Sequence, residues 1–182
     1  MNSQIKEISC RIKKFRELAG ISVEAIAGKL KMSEKEYSAF EDGTAEITIG
    51  VIYLVAAILN IDPTVLLTGV EPAATDYAVV AGGNGVEVER YRGYKFTSLA
   101  SDFAGRDMEP MIVDIEQHDH LPEMVSHAGQ EFNYVLEGSV TVIYGDREIL
   151  LEKGDSIYFD ARTLHGQKAS SKKAKFLVVI NE

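Results

Sequence analysis

Apolar residues recur at helical spacing in the first part of the chain. Ile5, Ile8, Ile12 and Leu18 fall on one face of a helix, and Gly20 follows where such a helix would end. This pattern predicts an amphipathic helix that buries its apolar face and stops near Gly20.

Four more helices are predicted before residue 70 from their capping residues and apolar spacing. Ser22 is placed to cap the second helix, and Ser33 with Glu36 forms a capping box at the start of the third. The pair Asp62-Pro63 supplies an N-cap and a favoured first helical residue for the fifth. The fourth helix is indicated by four apolar residues at helical spacing, Ile52, Val55, Ala56 and Leu59.

Alternation of apolar and polar residues replaces helical spacing after residue 76. The predicted strands are Tyr77–Val80, Val86–Arg90, Tyr94–Leu99, Met108–Glu116, Glu131–Glu137, Val140–Tyr144, Glu148–Leu151, Ser156–Phe159 and Lys175–Ile180. About ten short strands separated by turns are typical of a jelly-roll barrel. The sequence therefore predicts a two-domain α+β chain, with a five-helix bundle over 1–70, a linker over 71–76 and an all-β jelly-roll barrel over 77–182.

Composition and charge narrow the possible settings. The chain has 182 residues, 46% of them hydrophobic, and a formal net charge of −9. Residues 1–70 account for −1 of this charge and residues 71–182 for −8. Cys10 is the only cysteine, so no intrachain disulfide can form. With no signal peptide and no apolar run long enough to cross a membrane, a cytoplasmic protein is expected.

Two histidines and a glutamate of the β region are candidate metal ligands. His127 and Glu131 flank the start of one predicted strand, and His165 follows another. Two imidazoles and one carboxylate that converge inside a barrel form the facial triad that suits divalent iron or a similar metal. A side chain two residues before His127 on the same strand would face the same cavity, and that residue is Val125.

The same residues resemble the two motifs of the cupin superfamily. His127-x3-Glu131-x6-Gly138 is similar to the end of the first motif, and the stretch from Gly154 to His165 to the second. The resemblance implies a metal site, but a fourth ligand of that family is replaced here by Val125. A weakly bound iron, manganese or zinc ion is therefore expected, and a pocket without metal is the alternative.

Residues 8–69 resemble the Xre/Cro-type helix-turn-helix in the spacing of their helices. In that family the third helix, here Ser33–Asp42, enters the major groove of DNA. The DNA contacts that this implies are Lys31, Ser33, Glu34, Lys35, Tyr37 and Ser38. The third helix is acidic, with Glu34, Glu36, Glu41 and Asp42 against Lys35 alone, and carboxylates repel phosphate. A packing or dimerisation module is therefore the alternative.

An aromatic and cationic segment precedes the centre of the predicted barrel. Tyr91, Arg92 and Tyr94 lie close together in sequence, beside Lys95, and suit an anionic small molecule. Tyr134 and Phe159 are expected to face inward and to complete this effector site. The alternative is that the aromatic residues pack against a neighbouring domain or subunit.

The combined layout resembles bacterial regulators in which an Xre-type domain precedes a cupin that senses a small molecule. This resemblance implies a homodimer that binds DNA and an effector, is not an enzyme and does not associate with membranes. The hydroxypropylphosphonate epoxidases are similar in layout and imply a second class, an iron oxygenase with a His-Glu-His triad. A metal-free binding module is the third possibility.

Overall fold

The computed structural model describes residues 3–45, 47, 49–91, 94–118, 122 and 124–181. Five helices come first: α1 (Ser3–Leu18), α2 (Val23–Lys29), α3 (Glu34–Glu41), α4 (Ile49–Leu59) and α5 (Pro63–Thr68). Nine strands follow: β1 (Val86–Tyr91), β2 (Tyr94–Ser98), β3 (Met108–Glu116), β4 (Gln130–Glu137), β5 (Ser139–Tyr144), β6 (Arg147–Glu152), β7 (Ser156–Asp160), β8 (His165–Ala169) and β9 (Lys173–Asn181). The predicted order of five helices before a β region is confirmed.

The helices start where their capping residues predict. The Ser22 side chain accepts a hydrogen bond from the Ala25 amide. Ser33 and Glu36 form both bonds of a capping box. Asp62 caps α5 ahead of Pro63. Each cap satisfies backbone N–H groups that would otherwise lack partners in the first turn of a helix.

A buried ion pair crosses the core of the helical domain. Arg16 on α1 donates from Nε and Nη2 to the two carboxylate oxygens of Glu41 on α3, at 2.5 and 2.8 Å. Arg16 also donates to the Ile21 carbonyl oxygen. Apolar side chains fill the rest of this core, including Ile8, Ile12, Ile26, Tyr37, Ile52, Val55 and Leu66. The arrangement holds α1 and α3 together through a charge-assisted, two-point contact.

The strands form two antiparallel sheets. Six strands lie in the order β1-β2-β3-β9-β4-β7, and three in the order β6-β5-β8. The sheets are open, so the all-β region is confirmed, whereas the predicted jelly-roll barrel is not closed. Alternate residues along β3, β4 and β9 are buried, and the inward side chains of the two sheets make the core of this domain.

One predicted strand is absent from the structure, and one observed strand was missed. Tyr77–Val80 is not a strand, and the side chains of Tyr77 and Val79 are 78% and 81% exposed. Their residue types favour a strand, but such a segment needs a neighbouring strand to pair with. The strand β8 was not predicted, because His165–Ala169 lacks the alternating apolar residues that indicate one.

Gly138 explains one feature of the first motif. It ends β4 with φ of +71°, a conformation that disfavours residues with a Cβ atom. A Cβ atom at this position would also collide with the carbonyl oxygen of Lys173. The motif glycine is therefore required for β4 to turn into β5 beside the start of β9.

The helical and β domains are in direct contact. Arg106, between β2 and β3, donates to Asp62 Oδ2 at 2.9 Å and to the Thr64 hydroxyl at 2.8 Å. Its Nε forms an ion pair with Glu109. Tyr53 of α4 donates to the sulfur of Met111 on β3. These contacts therefore join α4 and the start of α5 to the β domain. None of the described helices has the length and apolar character needed to cross a membrane.

Candidate metal centre and helix-turn-helix surface

Three backbone features bring the candidate metal ligands together. Glu131 lies on β4, and His165 is the first residue of β8. His127 precedes β4, and its amide donates to the Ala161 carbonyl oxygen at 3.0 Å. The exposed fractions of His127, Glu131 and His165 are 5%, 3% and 0%. One ligand atom from each of these side chains lies within 4.8 Å of the other two.

Both imidazole rings are oriented by the backbone. Nδ1 of His127 lies 2.9 Å from the Ala128 carbonyl oxygen, and Nδ1 of His165 lies 2.8 Å from the Thr163 carbonyl oxygen. A carbonyl oxygen can only accept, so each Nδ1 must carry the proton. In the neutral rings Nε2 then presents a lone pair, which is the form that binds a metal.

The two carboxylate oxygens of Glu131 have different partners. Its Oε1 accepts hydrogen bonds from the Asn133 and Gln167 side-chain amides, both at 2.8 Å. Its Oε2 lies 3.5 Å from His127 Nε2 and 3.3 Å from His165 Nε2. Sequence reasoning missed Asn133 and Gln167. The signal was present, because each lies two residues after a ligand on the same strand and therefore on the same face.

The charge of the cluster fits a bound cation. Burial alone would raise the pKa of Glu131, but the close imidazoles of His127 and His165 and the Asn133 amide lower it to about 2. The buried Nε2 of His165 makes no hydrogen bond to any described residue. The ionised Oε2 of Glu131 and the Nε2 atoms of both imidazoles thus converge. Two imidazoles and a carboxylate are a known donor set for zinc and for non-haem iron.

The predicted effector residues are not all brought to this centre. The Phe159 ring packs against His165, with centroids 4.9 Å apart, so Phe159 is part of the wall. Tyr134 lies on the opposite face of β4 from Glu131 and is 38% exposed, which corrects its predicted inward orientation. Alternation places residues 131, 133 and 135 inside and residue 134 outside.

The aromatic and cationic segment is only partly described. Tyr94 is buried in β2 and lines a separate groove with Lys95 and Glu116. Arg92 lies outside the described residues, and the side chain of Tyr91 does as well. Their proposed role in effector binding stays a prediction.

Replacing Val125 with histidine is expected to raise the affinity for divalent metal about 10–100-fold, on the scale of other changes around a metal. Val125 pairs with His165 in an antiparallel bridge, with both hydrogen bonds at 2.8 Å, so their side chains lie on the same side. Calorimetric titration of the chelator-treated protein with ferrous, manganous and zinc ions measures the gain. Val125→Leu is the matched control, and equal affinities in the two variants would contradict the expectation.

The start of α3 presents most of the predicted DNA contacts to solvent. Lys31, Ser33, Glu34 and Lys35 are exposed, and Ser38 is half-buried. Tyr37 is 0% exposed in the helical core, so it is not available to a partner. Lys31 adopts φ of +56°, which is uncommon for a residue other than glycine. Its exposed side chain lies on the turn between α2 and α3.

The structure changes the charge that this surface carries. Glu41 is paired with buried Arg16 and does not reach the surface as an unpaired carboxylate. Glu36 accepts hydrogen bonds from the amide and hydroxyl of Ser33. Arg11 donates to the Leu66 and Leu67 carbonyl oxygens. Because Glu41 is withdrawn into the core, the third helix is less repulsive to phosphate than its composition indicates, although the exposed Glu36 keeps its charge. The hydrogen bonds of Arg11 and Arg16 leave α1 with fewer cations for DNA.

Two domain models match the chain. A helix-turn-helix domain matches residues 10–72, and a cupin domain matches residues 111–180. The chain thus has a helix-turn-helix domain of the Xre-like kind at its N-terminus and a cupin domain at its C-terminus. A search of curated protein sequences finds no match.

Solved structures are similar to this chain over nearly its whole length. An HTH_3 family transcriptional regulator from Vibrio cholerae superposes with a TM-score of 0.71 at 21% identity, covering 98% of this chain and 97% of that one. Hydroxypropylphosphonic acid epoxidase from S. wedmorenis superposes with a TM-score of 0.51 at 23% identity, covering 99% and 100%. At these identities the likeness extends to the fold alone.

Proposed function

We propose that this chain, with its helix-turn-helix domain followed by a cupin domain, is a DNA-binding transcriptional regulator that senses a small molecule. The observation that carries the proposal is the surface at the start of α3. There Lys31, Ser33 and Lys35 are exposed, while Glu41 is neutralised by Arg16 inside the core. Withdrawing Glu41 into the core removes one of the carboxylates that would repel phosphate and leaves both lysines accessible beside the exposed Glu34 and Glu36.

A homodimer in the cytoplasm belongs to the same proposal. Helix-turn-helix proteins commonly bind two half-sites of DNA as pairs, and each monomer here supplies one third helix. The domain boundaries of the proposal are 1–70 for DNA binding, 71–76 for the connection and 77–182 for sensing. In this scheme His127, Glu131 and His165 hold a weakly bound iron, manganese or zinc ion in the sensing domain.

Replacing Lys31 and Lys35 with glutamine is expected to weaken DNA binding and to reduce the salt dependence of the affinity. Each lysine that neutralises a phosphate contributes about one unit to the slope of log affinity against log salt, so the slope should fall by about two. Fluorescence anisotropy with a DNA fragment from the upstream region of the protein's own gene, at several salt concentrations, measures both quantities.

Two control variants accompany this measurement. Lys153→Gln/Lys172→Gln removes two exposed lysines of the cupin domain and should leave the slope unchanged. Glu34→Gln/Glu36→Gln should strengthen nonspecific binding, because glutamine still completes the capping box while the repulsion is lost. An unchanged slope without Lys31 and Lys35 would show that α3 does not dock in the groove.

An iron-dependent oxygenase is the second candidate function. It is favoured by the convergence of a buried carboxylate oxygen with two imidazole lone pairs, since three protein ligands leave positions on a metal for substrate. The fold likeness to hydroxypropylphosphonic acid epoxidase agrees with this arrangement. Oxygen consumption after addition of ferrous iron and hydroxypropylphosphonic acid would support the enzyme. A shift of DNA without such consumption would favour the regulator.

A further inference from the structure

A cleft of about 600 Å³ lies between the helix-turn-helix and cupin domains. One wall is formed by the turn between α2 and α3 together with part of α4. The other is formed by residues 124–128 and by Arg162 and Leu164 of the cupin domain. Its volume lies within the range of about 300–1,000 Å³ that small-molecule sites occupy.

The walls of the cleft are largely apolar. Met32, Phe40 and Leu54 line it from the helical domain, and all three are half-buried. Met124 and Leu164 face them from the cupin domain. Apolar walls of this kind favour a ligand with a hydrocarbon or aromatic body, because its binding removes apolar surface from water.

The charged side chains that line the cleft are cationic, and they differ in whether a carboxylate compensates their charge. Arg162 is held by Asp160, to which its Nε donates at 2.9 Å, so its charge is already compensated. Lys29 and Lys31 also line the cleft, and neither side chain has an ion pair or hydrogen bond with any described residue. Two uncompensated ammonium groups beside an apolar cavity complement an anionic group on an apolar molecule.

The cleft also reaches the candidate metal centre. His127 contributes to its wall, and so does Val125, which pairs with His165. A molecule in the cleft would therefore touch one imidazole of the centre and the turn that leads into α3.

We infer that this cleft binds a small organic anion with an apolar body, whose anionic group is held by Lys29 and Lys31. The inference rests on the proposed function, since it places the effector of the regulator between its two domains. Lys31 belongs to both the cleft and the proposed DNA surface. An anion bound there competes with DNA phosphate for this lysine, so effector and DNA weaken each other's binding by the same factor.

The test uses 8-anilinonaphthalene-1-sulfonate, a fluorescent organic anion with an apolar body, titrated into the full-length protein. Lys29→Gln/Lys31→Gln is expected to weaken its binding about tenfold, the combined effect of two partly exposed charge pairs. Lys153→Gln/Lys172→Gln, which removes two exposed lysines away from the cleft, should leave the affinity unchanged. Equal affinities in the two double variants would overturn the inference.

Two further measurements test the need for an anionic group and the location of the apolar site. Comparison with DNA binding then distinguishes failure of the cleft from failure of the proposed function. Octanoate should displace the dye while octanol does not, and equal displacement by both would overturn the role of the lysines. Leu54→Glu, which adds a carboxylate to the wall, should abolish dye binding, and unaltered binding would place the dye elsewhere. If the dye binds as expected but DNA does not, the regulator proposal fails and the cleft stands. If DNA binds but neither dye nor octanoate does, only the cleft fails.

Discussion

Replacing Glu131 with glutamine is expected to abolish divalent-metal binding and to destabilise the metal-free protein. The pKa of about 2 keeps Glu131 ionised at neutral pH, where its Oε2 faces the Nε2 atoms of both histidines. Loss of a ligand should lower the affinity by more than the roughly 10–100-fold that changes around the ligands cost. Glutamine can donate to an imidazole lone pair while its oxygen still accepts from Asn133 and Gln167.

Because the lowered pKa means that the folded state favours the ionised carboxylate, removing its charge should lower the free energy of unfolding of the metal-free protein by about 1–3 kcal/mol at neutral pH. In the wild type, metal at about 100 times its dissociation constant should raise it by about 2.7 kcal/mol. Thermal unfolding with and without ferrous, manganous or zinc ions measures both effects. Glu137→Gln, an exposed change on the same strand, is the matched control. A wild type whose unfolding is insensitive to all three metals would make the cluster an organic-ligand site. A variant at least as stable as the metal-free wild type would contradict the stabilising role of the carboxylate.

Replacing Arg16 with methionine is expected to destabilise the helical domain by about 3–5 kcal/mol at neutral pH. The substitution leaves the Glu41 carboxylate buried without its cation, which costs far more than the loss of a surface ion pair. Lys14→Met, on an exposed position of the same helix, is the matched control and should change stability little. Urea unfolding followed by circular dichroism measures the difference.

The pH dependence of the two proteins should have opposite signs. Burial tends to raise the pKa of Glu41, but the Arg16 guanidinium and the Tyr37 hydroxyl outweigh it and hold the pKa below its usual value. The wild type therefore keeps this contribution above the unfolded-state pKa of about 4.5 and loses it as the pH falls through the lowered value. Arg16→Met should instead gain stability on acidification, because protonation removes the buried charge. Arg16→Met/Glu41→Met should recover most of the loss, and equal destabilisation in single and double variants would contradict the ion-pair explanation.

The helical domain was predictable because its signals are local. The capping residues Ser22, Ser33 and Asp62 act on amides two or three positions away, so the sequence contains both partners. The Arg16–Glu41 pair was missed, and Glu41 was treated as a surface charge. Helical spacing could have predicted this pair. Arg16 lies four residues after Ile12, and Glu41 lies four residues after Tyr37, so both fall on the buried face of their helices.

The candidate metal centre was predictable in its ligands but not in its surroundings. The spacing of His127, Glu131 and His165 matches a known pattern, whereas Tyr134 was assigned to the wrong face of β4. Strand alternation decides such an assignment, and a shift of one residue reverses it. The cleft between the domains was not predictable, because it exists only once α4 and the turn before α3 lie against the cupin domain.

The contact between Asp62 and Arg106 restricts the exchange of domains during the evolution of this chain. Asp62 caps α5 with one carboxylate oxygen and binds the buried guanidinium of Arg106 with the other. A recombination event that gave this cupin domain a different DNA-binding domain would leave that guanidinium without one of its counter-charges. The helix-turn-helix domain is therefore not a freely exchangeable module, and its last helix and the cupin domain should have been inherited together.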